Sequence, residues 1–236
     1  MTAETILSEL RTAGSPEKAI HLARFFKTGP GEYGEGDLFL GVTVPAQRDI
    51  ARRHTDTPLP VLHTLLSSPW HEARLTALLI LLQRFTRAHR DEDARRECVD
   101  FYLAHTPRIN NWDLVDLTCY KLLGVWLENR DRTLLYRLAG SPSLWEQRIA
   151  IVTTMHFVRR GDFADCLAIA DLLLHHPHDL IHKAVGWLLR EVGKHDRPTL
   201  TAFLIPRAST MPRTMLRYAI ERFPETERKE WLRQGK

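Results

Sequence analysis

Trp112 and Asp116 are the residues of this chain best spaced to do chemistry. They lie in the run Asn110-Asn111-Trp112-Asp113-Leu114-Val115-Asp116. On a helix, positions i and i+4 share a face, so the indole and the carboxylate stand one turn apart. A fixed carboxylate stabilises positive charge that develops in a transition state and orients water against it. An aromatic face beside it adds attraction for a cation. Asp113 is rotated away from Asp116 and sits near the helix start, where a carboxylate suits the helix dipole. Asp116 has no such local role. Its structural alternatives are a surface carboxylate or a buried acid bonded to a neighbouring repeat.

Other polar clusters offer less. Trp187 follows Gly186 in Lys183-Ala184-Val185-Gly186-Trp187. A tryptophan in a helix is ordinarily core, but the preceding glycine leaves room for something to approach the indole. His175-His176-Pro177-His178 has histidines but no partner carboxylate or cysteine at ligand spacing, and the proline marks a loop, so no metal is expected. His71-Glu72 is not the start of an HExxH zinc motif, because residue 75 is leucine. The loop Gly29-Pro30-Gly31-Glu32-Tyr33-Gly34-Glu35-Gly36-Asp37 lacks the GK[ST] ending of a phosphate loop and carries three acids. It reads as a flexible connection.

The elements that must hold these residues are marked by Pro69, Pro107, Pro142, Pro177 and Pro212, with gaps of 38, 35, 35 and 35 residues. Each proline precedes an amphipathic helical pattern, where its fixed φ and missing N–H are tolerated. A period of this length with two helical patterns in each is the signature of an α-helical solenoid. Five or six residues after the proline, four repeats place a base: Arg74, Arg148, Lys183 and Arg217. The repeat opened by Pro107 has Trp112 and Asp113 there instead. A row of cations broken by tryptophan and carboxylates reads as a polyanion-binding surface with a reactive centre, on the concave wall of the array.

Helices are predicted near 2–12, 16–27, 45–54, 58–67, 69–88, 91–105, 111–127, 131–139, 142–159, 162–175, 178–194, 196–208, 212–223 and 225–233. Ser68, Ser141 and Asp162 are candidate N-caps, and Gly140 and Gly161 candidate breaks. Only Leu38 to Val44 has any strand character, and it is too short to build a sheet. The predicted class is all-α, one array over 1–236.

Composition agrees with a globular interior, at 44% hydrophobic and 26% charged. Of the 33 basic residues, 26 are arginine, whose planar fork suits phosphate oxygens, although a GC-rich genome also inflates arginine. Apolar runs such as Leu78 to Leu82 are far shorter than the roughly 20 residues of a membrane span. The start MTAETILSEL lacks the pattern of a secretory signal. Cys98, Cys119 and Cys166 are too scattered for a disulfide framework or a zinc knuckle, and a reducing cytoplasm is the simple reading.

Four segments together resemble the AlkD-like DNA alkylation repair family, DNA glycosylases built from HEAT-like helical repeats. They are Phe39-Leu40-Gly41-Val42 before a proline-led helix, Trp112 to Asp116, Trp145-Glu146-Gln147-Arg148, and Lys183 to Glu191. The resemblance runs from about residue 20 to 232. It implies a bacterial enzyme that hydrolyses the N-glycosidic bond of purines alkylated at N3 or N7 in double-stranded DNA, without cofactor, as a monomer. It implies Asp116 as the catalytic carboxylate, Trp112 and Trp187 as the aromatic pair at the damaged nucleotide, and Arg148 on the adjacent phosphate. Lys183, Arg74, Arg217, Arg190 and Lys27 then belong to the DNA groove, and Phe25 and Asp113 to the substrate contacts. Relatives often carry a tyrosine where this chain has Phe25. The family also includes proteins that bind unusual DNA structures with little excision, which leaves a non-catalytic binder of branched or damaged DNA as the alternative. A protein-binding helical scaffold is a third reading.

Overall fold

A computed structural model describes residues 2–234; the other three residues of the expected 1–236 array, residues 1, 235 and 236, lie outside the described residues. The described chain is all-α, with the helical-repeat architecture expected from the proline period. Its one β feature among the described residues is an isolated bridge between Leu38 and Trp70. The chain divides into two compact units, residues 1–114 and 115–236.

The first unit contains α1 (Ala3–Ala13), α2 (Pro16–Phe25), α3 (Val44–Arg53), α4 (Leu59–Leu66), α5 (His71–Arg87), α6 (Glu92–Ala104) and, at its end, the start of α7 (Trp112–Asp116). Helix α5 is its centre. Leu75, Ala77, Ile80 and Leu81 are fully buried, and α3, α4 and α6 pack around them. The connection from α2 to α3 is fixed by the start of α5. The Glu72 carboxylate accepts hydrogen bonds from the backbone N–H groups of Leu40, Gly41 and Val42, at 2.8–3.2 Å. Gly41 has φ +83°, and a Cβ there would lie 2.1 Å from the Ser15 carbonyl oxygen. This is why the Phe39–Val42 segment needs glycine at its third place.

The second unit contains a π-helical turn (Tyr120–Gly124), then α8 (Thr133–Ala139), α9 (Leu144–Thr153), α10 (Met155–Val158), α11 (Ala164–Leu172), α12 (Asp179–His195), α13 (Arg197–Leu204), α14 (Arg213–Ala219) and α15 (Glu225–Gln234). Helix α12 is packed by α9, α13 and α14. Cys98, Cys119 and Cys166 are all free and buried. Burial pushes the Cys166 thiol up to about 12 and the Cys119 thiol higher still, so both are inert core groups at neutral pH. No helix among the described residues is long and apolar enough to cross a membrane.

The predicted helices are present, with local differences. The expected run 111–127 is broken: α7 stops at Asp116 and a π turn follows. The expected helix 142–159 divides at Thr154 into α9 and α10. The caps lie one or two residues later than expected. Ser143, not Ser141, caps α9 by accepting from the Glu146 N–H, and Ser141 instead accepts from the Ser143 N–H. Ser68 accepts from the N–H of Trp70, the residue that caps α5. Phe163 precedes α11, and Asp162 accepts from the Ala164 N–H. Gly161, at φ +80°, is a break as expected.

Candidate functional site

Helix α7 carries Trp112 at its first position and Asp116 at its last, the i, i+4 pair expected from the sequence. In the first unit, the start of α7 is tied down by side chains. Asn111 is fully buried; its Oδ1 accepts from the Trp112 N–H at 2.8 Å and its Nδ2 donates to Asp37 at 3.4 Å. Asp113 caps its own turn by accepting from the Leu114 N–H at 2.8 Å. Its other oxygen lies 2.8 Å from His71 Nε2. His71 Nδ1 faces Asp37 at 3.1 Å, and Arg74 reaches the same Asp37 oxygen at 2.6 Å. Four charged or titratable side chains, Asp37, His71, Arg74 and Asp113, thus form one buried cluster. Burial works to raise the Asp37 carboxyl, but the hydrogen bonds from His71 and Arg74 hold it below the usual carboxylate range. Burial likewise opposes protonation of His71, and the Asp113 carboxylate outweighs it, raising the imidazole to about 9.

Above this cluster is a stack of rings. Trp112 lies on Phe26 with centroids 5.0 Å apart and planes at 19°, and meets the edge of Phe25 at 5.7 Å. Phe26 in turn packs on Phe39 and His71. Phe26 is buried, whereas Phe25 is 56% exposed. Lys27 follows with φ +53°, a conformation usually left to glycine at the end of a helix, and is exposed.

In the second unit, Asp116 is gripped by Arg148 from α9 through two parallel hydrogen bonds, Nε to Oδ1 at 2.9 Å and Nη2 to Oδ2 at 2.7 Å. The third arm of the guanidinium donates to the Leu180 carbonyl oxygen at the start of α12, at 2.5 Å. The Arg148 and Asp116 side chains are 6% and 15% exposed. Trp187, on α12, is half-buried.

The row of bases is therefore not a row of exposed cations. Arg74 was expected to meet DNA; it is buried and bonded to Asp37, so its charge is used inside the fold. Arg148 is buried on Asp116. Lys183 is half-exposed and pairs with Asp179 one turn away, and Arg190 pairs with Glu221 and Glu191. Arg217 and Lys27 are exposed. Asp113 was expected among the substrate contacts, but it is 5% exposed and its oxygens serve His71 and the helix start. The space expected beside Trp187 is taken as well: a Cβ on Gly186 would lie 2.5 Å from both the Met215 carbonyl oxygen and the Tyr218 Cβ, so this glycine serves the close packing of α12 and α14.

The weaker clusters resolve into structure. His178 caps α12 by accepting from the Leu180 N–H, and His176 accepts from the His178 N–H. No group of three or more His, Cys, Asp or Glu side chains among the described residues is arranged to hold a metal ion. The glycine loop holds no anion cradle, because Glu32 and Glu35 take the N–H groups of Gly29 and Gly31. The end of that loop is not a free connection, since Asp37 is 7% exposed and anchors the charge cluster.

A family model for the DNA alkylation repair enzyme matches residues 6–223. The chain belongs to this family. A solved protein, "Predicted DNA alkylation repair enzyme from Enterococcus faecalis", has the same fold, with a TM-score of 0.69 over 90% of this chain and 97% of that one, at 17% identity. No curated protein matches the chain. For a DNA alkylation repair enzyme, what sequence reading missed are the side chains that hold the start of α7, and the pairing of Arg148 with Asp116. His71, Asp37 and Asn111 had no motif to single them out. The signal available was placement: an acid closing the glycine loop, and a histidine opening the helix after Pro69.

Proposed function

We propose that this repair enzyme is a DNA glycosylase that hydrolyses the N-glycosidic bond of cationic alkylpurines in double-stranded DNA. The observation that supports it best is the Asp116 carboxylate, held in two charge-assisted hydrogen bonds by Arg148 and carried on the same short helix as Trp112. Such a carboxylate is fixed before any substrate arrives, which is what electrostatic stabilisation of a transition state requires.

The chemistry asks for little more. Alkylation at N3 or N7 gives the purine a positive charge. When the C1′–N9 bond breaks, the electron pair returns to the ring and neutralises that charge, so no general acid is needed to protonate the leaving group. This separates the reaction from glycosidases with paired acids. The deoxyribose becomes an oxocarbenium-like cation, Asp116 stabilises it, and a water oxygen adds to C1′ as its proton is lost to the carboxylate or solvent. Trp112 and Trp187 would present ring faces to the sugar. Arg148 has a double role in this reading. Three of its five N–H groups are engaged with Asp116 and Leu180, which leaves two for the adjacent phosphate. Lys183, Arg190, Arg217 and Lys27 supply the remaining backbone contacts as a monomer meets the duplex, and Phe25, edge-on to Trp112, meets the nucleotide. No cofactor is required.

The test is incubation of methylated duplex DNA with the protein and identification of the bases set free. Release of 3-methyladenine or 7-methylguanine supports the reading. Salt-dependent binding to branched or methylated duplex with no base released would instead establish a non-catalytic DNA binder.

A further inference from the structure

His71 sits between two carboxylates. Its Nδ1 lies 3.1 Å from Asp37 and its Nε2 lies 2.8 Å from Asp113. An ionised carboxylate only accepts hydrogen bonds, so each ring nitrogen must carry a proton. Arg74 Nη2 lies 3.5 Å from the same Nδ1 but 2.6 Å from Asp37, and the shorter contact is the bond. From α2, Lys18 and His21 line the cavity that His71 and Glu72 also line. Phe26 and Phe39, stacked on each other, pack against the imidazole, and the carboxylate of adjacent Glu72 is turned to the amides of residues 40–42. With an imidazolium, Asp37 and Asp113 are balanced by His71 and Arg74. With a neutral ring, one buried carboxylate loses its donor.

We propose that His71 acts as a buried imidazolium that positions Trp112, and with it the start of the helix ending in Asp116, rather than as a core histidine of no catalytic consequence. Asp113 carries the link to the first turn of α7, and Asp37 carries it through Asn111 to the Trp112 N–H. Phe26 stacks on Trp112 and packs, tilted, against His71, so the ring stack touches the same side chain. His71 touches no reacting atom in this account; it is a positioning residue. The inference rests on the glycosylase reading for its kinetic consequence, and on the geometry alone for its structural one. The consequence is an alkaline limb in the rate of the chemical step, set by a group remote from the substrate.

The experiment compares wild type with His71→Gln and Asp113→Asn. Single-turnover excision is followed from pH 6 to 9.5 on duplex carrying 3-methyladenine, whose fixed charge has no ring N–H to titrate. In parallel, the ring 15N resonances of His71 and the 19F resonance of fluorotryptophan at residue 112, assigned through Trp112→Phe, are followed without DNA. Wild type is expected to show both His71 nitrogens protonated at pH 7.5, and a rate that falls toward pH 9 while duplex affinity holds. Glutamine donates to one carboxylate only, so His71→Gln should lose about 10- to 100-fold in rate with little change in affinity, and its alkaline limb should vanish. Asp113→Asn removes one of the charges that holds the proton, so its limb should move to lower pH. A neutral ring at pH 7.5, or an unchanged limb in His71→Gln, overturns the inference. If wild type releases no base at all, the glycosylase reading fails. A residue-112 resonance that moves as His71 titrates would then still support the positioning role, and one that ignores His71 would overturn it.

Discussion

Replacing Asp116 by asparagine should cost this protein stability as well as rate. The family resemblance implies Asp116 as the catalytic acid, and the structure pairs it with Arg148, both side chains being largely buried. Asparagine keeps one acceptor for Arg148 Nε and turns an N–H₂ toward Nη2, leaving a guanidinium short of a partner. Breaking a buried pair by removing one member costs about 3–5 kcal/mol. One surviving bond, and the contact from Arg148 to Leu180, bring the expected loss to about 2 kcal/mol, or roughly 4–8 °C in melting temperature for a chain of this size. The rate effect is separate. Loss of a charge that acts in the transition state should lower single-turnover excision by about 10²–10³, or roughly 3–4 kcal/mol of barrier. The double variant Asp116→Asn/Arg148→Met separates the two effects. It removes the stranded cation, so stability should recover, while excision stays as low as in the single variant or lower. Melting by circular dichroism and release of 3-methyladenine under single-turnover conditions give the two readouts. Excision near the wild-type rate in Asp116→Asn, or recovery of rate along with stability in the double variant, would refute the assignment of Asp116 as the catalytic carboxylate.

The other expectations are independent of that pair. Arg217→Ala should reduce the slope of log affinity against log salt by about one, because Arg217 is exposed, whereas Arg74→Ala should leave the slope unchanged and lower the melting temperature, because Arg74 is spent on Asp37. Equal slopes for the two variants would contradict this division. Stability should fall as pH rises: the folded protein holds the His71 proton up to about 9 against an ordinary value of 6.5, so the contribution is full below 6.5 and lost through about 9. Its ceiling is about 3 kcal/mol. Urea midpoints at pH 6 and 9.5 measure it, and a flat profile would refute it. Uracil and hypoxanthine, which are neutral, should be released far more slowly than 3-methyladenine or 7-methylguanine, leaving an unbroken strand; borohydride trapping of a covalent complex would point to a lysine nucleophile instead. Excision should survive exhaustive chelation, since no group of side chains among the described residues is arranged to hold a metal ion, and restoration by a divalent ion after loss in EDTA would contradict the reading.

What the sequence by itself determined is the part that rests on periodicity. Prolines at a fixed spacing, with apolar residues at helical intervals between them, fix the order and approximate placement of the helices, because each buried face is a local property of neighbouring residues. The same periodicity put Trp112 and Asp116 on one helical face, and α7 holds them there. What only the tertiary structure decided is where charge goes. Arg74, Arg148, Lys183 and Arg217 are alike in repeat position, yet the first two are buried against Asp37 and Asp116 and the last is exposed. The acids that make this difference lie more than thirty residues from their partners. Nor does the spacing of Asp37, His71 and Asp113 along the chain announce a cluster, since it exists only where a loop end, a helix start and a second helix start converge. Gly186 shows the same limit at the scale of one atom. Its sequence neighbours allow a ligand or a helix to approach, and the choice belongs to α14, which fills the space. Helix formation follows from residues a few places apart, so sequence periodicity reports it. The ionic partner of a buried side chain is set by which distant segments fold against it, and no local pattern carries that information.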